Sequence, residues 1–138
     1  MIILSTEAQN VAGTAIANLI DSGSVLPNGY IEIRTDVKPA SPQVAATGSL
    51  LGTLQLSNPA YNTFANGIAL INPITNAIAV SQGVATWFRV YNRNKAPVMD
   101  GDVTLTGKGG DIQLDNVNIL VGGAIQINTL NGVMPAKC

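Results

Sequence analysis

The run from Val84 to Thr106 constrains the fold more than any other part of the chain. It reads as two strands, about 84–92 and 97–106, joined by a short polar turn. It carries the only tryptophan and three of the seven basic residues, Arg89, Arg93 and Lys95. Successive strand side chains point to opposite faces. Ala85, Trp87, Arg89 and Tyr91 therefore share one face, and Thr86, Phe88 and Val90 the other. Large side chains on both faces imply a strand covered on both sides. Phe88 and Val90 are expected in the core, leaving Trp87, Arg89 and Tyr91, with Arg93 beyond them, as candidates to touch a partner. Most single tryptophans in small β-domains are core residues, so the opposite assignment stays open.

Strand signals recur along the rest of the chain. Tyr30-Ile31-Glu32-Ile33-Arg34 alternates cleanly, with the two isoleucines inward. Ser49 to Leu56, Ile68 to Ile71 and Ala77 to Val80 follow, then short runs at 112–114, 117–121 and 124–130. Seven to nine short strands with turn signals every 8–12 residues predict a mainly β fold, an antiparallel β-sandwich or jelly roll. The whole chain, 1–138, reads as one domain, long enough to bury a single core.

One helix precedes the strands. Thr6 followed by Gln9 fits a capping box, and Glu7 opposes the helix dipole. Apolar residues then recur over about three turns until Asp21-Ser22-Gly23 ends the pattern. Residues 1–23 are expected either to dock on the sheet or to form an arm that orders on a neighbour. The segment 35–48 contains Pro39 and Pro42, which forbid a central strand there. Such a long structureless stretch is uncommon in a compact domain. It reads either as a contact arm, making Pro39 and Pro42 further contact candidates, or as a crossover on the surface.

Charged residues make up only 11% of the chain, against roughly 25% in an average soluble domain. Burying amides and hydroxyls costs much less than burying ions, so this composition favours a surface hidden by assembly. A net charge of −1 offers no field for nucleic acid. The longest apolar run is too short to cross a bilayer, and no secretory leader is read at the N-terminus. The lone Cys138 has no internal disulfide partner, which suits folding in a reducing cytoplasm.

The sequence has no histidine, which removes the usual general base and histidine-ligated metals. Asp100 and Asp102 share a strand face, as a carboxylate pair would, but read better as two solvated acids. Gly107-Lys108-Gly109-Gly110 has the outline of a phosphate loop without its spacing, and reads as a hairpin tip. No enzyme, cofactor or metal is expected.

The order of these features resembles a group of small virion proteins of tailed bacteriophages. The matching stretches are Tyr30-Ile-Glu-Ile-Arg34, Pro39-Ala-Ser-Pro42-Gln-Val-Ala-Ala-Thr-Gly48, the leucine-rich run to Leu56, Ser57-Asn-Pro59-Ala60, Ala85-Thr-Trp87-Phe88-Arg89-Val90-Tyr91, Val98-Met-Asp100-Gly101, and the late Ile/Val-Gly-Gly strand pair. The resemblance spans roughly residues 30–130. It implies a jelly-roll-like fold and a capsid decoration or cement role, on the virion exterior after synthesis in the host cytoplasm. The implied partners are the major capsid protein and other copies of the chain, with a dimer favoured. A tail, connector or head-fibre component is an alternative. A carbohydrate- or ligand-binding β-sandwich module is another, from a different class.

Overall fold

The computed structural model describes residues 1–128 and 130–133. The chain is mainly β with one N-terminal helix, in the order α1 (Thr6–Ile20), β1 (Tyr30–Arg34), β2 (Leu50–Gln55), β3 (Ile68–Leu70), β4 (Ala77–Ile78), β5 (Gly83–Val84), β6 (Trp87–Tyr91), β7 (Pro97–Leu105), β8 (Ile112–Leu114), β9 (Asn118–Ile119), β10 (Ala124–Ile125) and β11 (Asn131–Val133). Five strands form one sheet in the order β2-β1-β6-β7-β8. The remaining six form three two-stranded ribbons, β4 with β10, β3 with β11 and β5 with β9.

Register decides what each face of the sheet carries. Ile31 lies opposite Leu54 on one side and Val90 on the other, and Ile33 opposite Gly52 and Phe88. These residues, with Val103, Ile112 and Leu114, make the inner face and are buried. Phe88 sits opposite Gly101, where an added Cβ would come within 2.5 Å of its ring, so the glycine gives the ring its place. Residues on and beside the ribbons pack against this surface, as Ile125 and Ala77 do at Gly52. Ala69, Ala77, Ala79, Ile119, Ile125 and Leu130 join the same buried cluster.

Two expectations change here. The sheet is not wholly antiparallel, because β7 and β8 pair in parallel from Val103 with Ile112 to Leu105 with Leu114. Parallel partners ordinarily need a crossover of a dozen or more residues. Here the connection retraces only three paired positions, and Gly107 and Gly109, both at φ +84°, turn it back. The glycine segment is thus a link between parallel strands and not a hairpin tip. The late strands are also shorter than the alternation predicts, because 124–130 contributes only β10.

The helix is capped one residue earlier than expected. Ser5, in extended conformation, accepts the Ala8 amide through its Oγ at 3.1 Å, and Thr6 is already helical. α1 then packs on its own chain. An added Cβ at Gly13 would lie 2.5 Å from the Phe64 ring, and Ala17 and Ile20 are buried. Polar contacts fix both ends: the Gly67 amide donates to Asn10 Oδ1 at 2.8 Å, and the Ala60 amide to Asp21 Oδ1 at 2.9 Å.

Tyr61 is buried beside Phe64, the ring on which Gly13 of α1 rests, with centroids 6.2 Å apart. Burial pushes its phenol up to about 12. An unfolded tyrosine ionises near 10, so the contribution from keeping Tyr61 neutral is complete below that pH. It is lost as pH rises from about 10 towards 12, by roughly 3 kcal/mol at the limit. Urea melts should show this alkaline loss, and Tyr61→Phe should remove most of it. An unchanged alkaline slope in that variant would contradict the burial of the phenol.

Candidate functional site

The outer face of the sheet does not present its large residues to solvent. Trp87 is fully buried, and its indole Nε1 donates to the Thr35 carbonyl at 2.8 Å. Arg89 is only 3% exposed. Its guanidinium forms a two-pronged pair with Asp100, Nε to Oδ1 at 2.6 Å and Nη2 to Oδ2 at 2.9 Å. The remaining donors reach the segment 35–48, with Nη1 on the Val44 carbonyl at 2.8 Å and Nη2 on that of Ser41 at 3.4 Å. Arg34 holds the far end through Thr47 O at 3.1 Å. This segment is therefore a strap closed over its own sheet, with Pro39 and Pro42 half-buried in it.

The sequence candidates divide accordingly. Trp87 and Arg89 have no surface to offer a partner, because the strap covers them and their polar atoms are satisfied within the chain. Asp100 is no solvated acid; register places it opposite Arg89. That hydrogen bond is the leading cause that pushes the guanidinium pKa up. Asp102 stays exposed and pairs with Lys38 on the strap at 2.9 Å. Tyr91 is half-buried and stacks on Tyr30 across the strand pair, centroids 4.9 Å apart and planes 12° from parallel. Burial first, and then the nearby Glu32 carboxylate, raise the pKa of both phenols. Arg93 ties the helix exit to the β6–β7 turn, donating to Leu26 O at 2.8 Å and Asp21 O at 3.4 Å. Among the described residues no cluster of acids or cysteine could hold a metal ion, and no helix is long and apolar enough to cross a membrane. Cys138 lies outside the described residues.

Exposed aliphatic surface lies elsewhere. Residues 39–88 and 116–136 contain no Asp, Glu, Lys or Arg. Those two stretches supply both strands of all three ribbons. On the ribbon layer Ile78, Val80, Val84, Leu120 and Val121 are each between 50% and 68% exposed. Backbone bonds tie the strands and the turn that carry them. Ala124 pairs with Ile78, and Val84 with Asn118. The Leu120–Gly123 turn is pinned to the β4 side by Ala79 N to Gly123 O at 2.8 Å and Gly122 N to Ala79 O at 2.9 Å. Gly122, at φ +83°, closes the turn and leaves Leu120 and Val121 at its tip.

Turn corners are normally built from Gly, Pro, Asn, Asp and Ser. A tip carrying Leu and Val, beside three further exposed aliphatics and no charge on its own strands, fits the core of a protein interface. A groove of about 330 Å³ lies beside it, lined by Asn118, Leu120 and Ala124 among others, with the Asp115 carboxylate also in its wall. Total charge alone did not reveal this face; the positions of the charges along the chain carry the signal. Comparison with protein-family models, characterised proteins and solved structures found no match.

Arg89→Ala should cost about 3–5 kcal/mol, since it leaves Asp100 buried without its partner. Replacing the pair together, as Arg89→Met with Asp100→Leu, should restore most of that stability in urea melts. The strap should nonetheless become sensitive to proteolysis, having lost its donors. A double variant whose strap stays as resistant as the wild type would show that Arg89 does not hold it.

Proposed function

We propose that this chain is a capsid decoration protein of the cement type, an architectural component of a tailed-bacteriophage head that acts without catalysis. It binds across major capsid protein subunits on the shell exterior and adds contact area that must be broken before the shell opens. The observation that carries this reading is the uncharged aliphatic tip formed by Ile78, Val80, Val84, Leu120 and Val121. Such a surface gains by being covered, at roughly 25 cal/mol per Å² of apolar area removed from water. Many copies on one lattice can hold it down even where each contact is weak. The resemblance over residues 30–130 points the same way. The ribbon layer facing the inner side of the five-stranded sheet supports a jelly-roll-like sandwich as the finer description of the fold.

A neutral-glycan-binding module is the second reading. It rests on a shallow groove of about 330 Å³ lined by Leu26, Pro27, Asn28, Tyr30, Thr53 and Gln55, in which Tyr30 is backed by Tyr91. Amide, hydroxyl and aromatic groups without a charge suit a sugar face.

Placing a carboxylate on the tip separates the readings. Val121→Asp and Ile78→Asp lie on exposed positions and should change folding stability by no more than about 0.5 kcal/mol. Each should lower co-sedimentation of the protein with stripped, mature shells by at least about tenfold in affinity. Unchanged shell binding in both variants would remove the tip from the interface. Neutral-glycan binding by the wild type that is lost on Tyr30→Ala would instead support the groove.

A further inference from the structure

Asn-Gly steps occur at Asn28, Asn66 and Asn131. An asparagine can lose its side-chain amide without an enzyme when the next main-chain nitrogen attacks its Cγ. Glycine, lacking a Cβ, leaves that nitrogen the least shielded. The fold holds these steps differently. Asn28 donates its own side-chain amide to the Leu56 carbonyl, and Gly29 is buried, with an added Cβ only 2.8 Å from Tyr91 O. Gly132 sits within β11, paired with Ala69 of β3. Asn66 is exposed, in a two-residue turn across which Ala65 and Ile68 exchange backbone bonds of 2.9 and 3.0 Å. Asn66 and Gly67 both have positive φ, +54° and +74°, the pattern of a type I′ turn.

We propose that Asn66 is the chain's site of spontaneous deamidation and that Asn10 of α1 guards it. The attacking atom is the Gly67 nitrogen, and its N–H donates to Asn10 Oδ1 at 2.8 Å. Gln9 closes the same spot, since a Cβ on Gly67 would run into its side chain. The asparagine under attack is thus exposed, while the glycine that attacks is buried against the first half of the helix. Ring closure needs the nitrogen deprotonated, so it cannot proceed while Asn10 holds the N–H. Local release of α1 from the turn therefore sets the rate.

The chemistry needs only water. The Gly67 nitrogen gives its proton to solvent base and bonds to Asn66 Cγ. The Cγ–Nδ2 bond then breaks, and ammonia leaves with a proton from solvent, closing a succinimide ring. Water opens either imide carbonyl. Opening at Cγ gives aspartate; opening at the main-chain carbonyl gives isoaspartate, whose main chain runs through Cβ and Cγ and is one carbon longer. The imide has no N–H to offer Asn10, and the longer chain no longer fits a two-residue turn. Either product also places a carboxylate in the stretch 39–88, which carries no charged residue. Passage through the isoaspartyl form therefore loosens α1 at one of its polar ties, irreversibly. This inference concerns the free protein and stands apart from shell binding.

The test is incubation of the full chain in mildly alkaline buffer, followed by peptide mapping with mass spectrometry at each Asn-Gly step. In the folded wild type, Asn66 should convert before Asn28 and Asn131. Asn10→Ala, confirmed as folded by its urea melt, should speed conversion at Asn66 by about fivefold, the factor that one ordinary hydrogen bond carries. Conversion at Asn28 and Asn131 should be unchanged in that variant. Asn10→Asp keeps an acceptor oxygen and should convert near the wild-type rate. Earlier conversion at Asn28 or Asn131 would overturn the site, as would none at Asn66 while the urea-unfolded chain converts there. An Asn10→Ala rate at Asn66 equal to the wild type's, or one raised alike at every step, would overturn the guard.

Discussion

The pair between Arg89 and Asp100 decides how the rest of the molecule can be covered. Both groups project from the outer face of the central sheet, where an exposed strand face would otherwise present a tryptophan and a cation to solvent. Pairing alone would not repay the loss of hydration of two buried ions. The guanidinium has further donors, and they close on the carbonyls of Val44 and Ser41. The strap thus satisfies the ion pair, and the ion pair holds the strap. Trp87 is sealed beneath the same segment, with its indole bonded to Thr35. Neither element would be stable in place without the other.

Because that face is closed internally, the proposed contacts with other molecules are placed on the surfaces the charges avoid. The charged residues sit mostly on β1, the strap, the β6–β7 pair and the segment to Asp115. The ribbons and α1 beyond Glu7 have none. Bare aliphatic side chains crowd onto these uncharged surfaces, at the Leu120–Gly123 turn and along the outer side of α1. Uncharged aliphatic surface is readily desolvated, while the charged side keeps the free chain hydrated. Such a division is what the proposed cement role calls for.

Much of the core was legible from the sequence because period-2 alternation speaks directly about burial. β1 matches its expected bounds, and the assignment of Phe88 and Val90 to the inner face follows from counting alone. The parallel pairing of β8 was hidden because the spacing from β7 to β8 looks like any hairpin, and only glycine geometry distinguishes a link that doubles back. The fate of Trp87 and Arg89 was hidden for a different reason. Alternation says which face a residue occupies but not what covers that face, and the cover comes from a proline-containing segment without periodicity of its own. The aliphatic turn tip was readable in principle, from Leu120-Val121 at a corner and from the long charge-free stretches on either side of the Arg89–Asp115 region. Composition averaged over the chain concealed both.

In the proposed arrangement the molecule meets the shell through the uncharged ribbon tip, while the strapped face stays internal. Hydrogen–deuterium exchange of the chain bound on purified particles, compared with the free protein, tests it most directly. Amides in 77–84 and 118–124 should become protected on the particle, and those in 36–48 should exchange at unchanged rates. Protection confined to the strap, with the tip exchanging as in free solution, would move the contact to the strapped face.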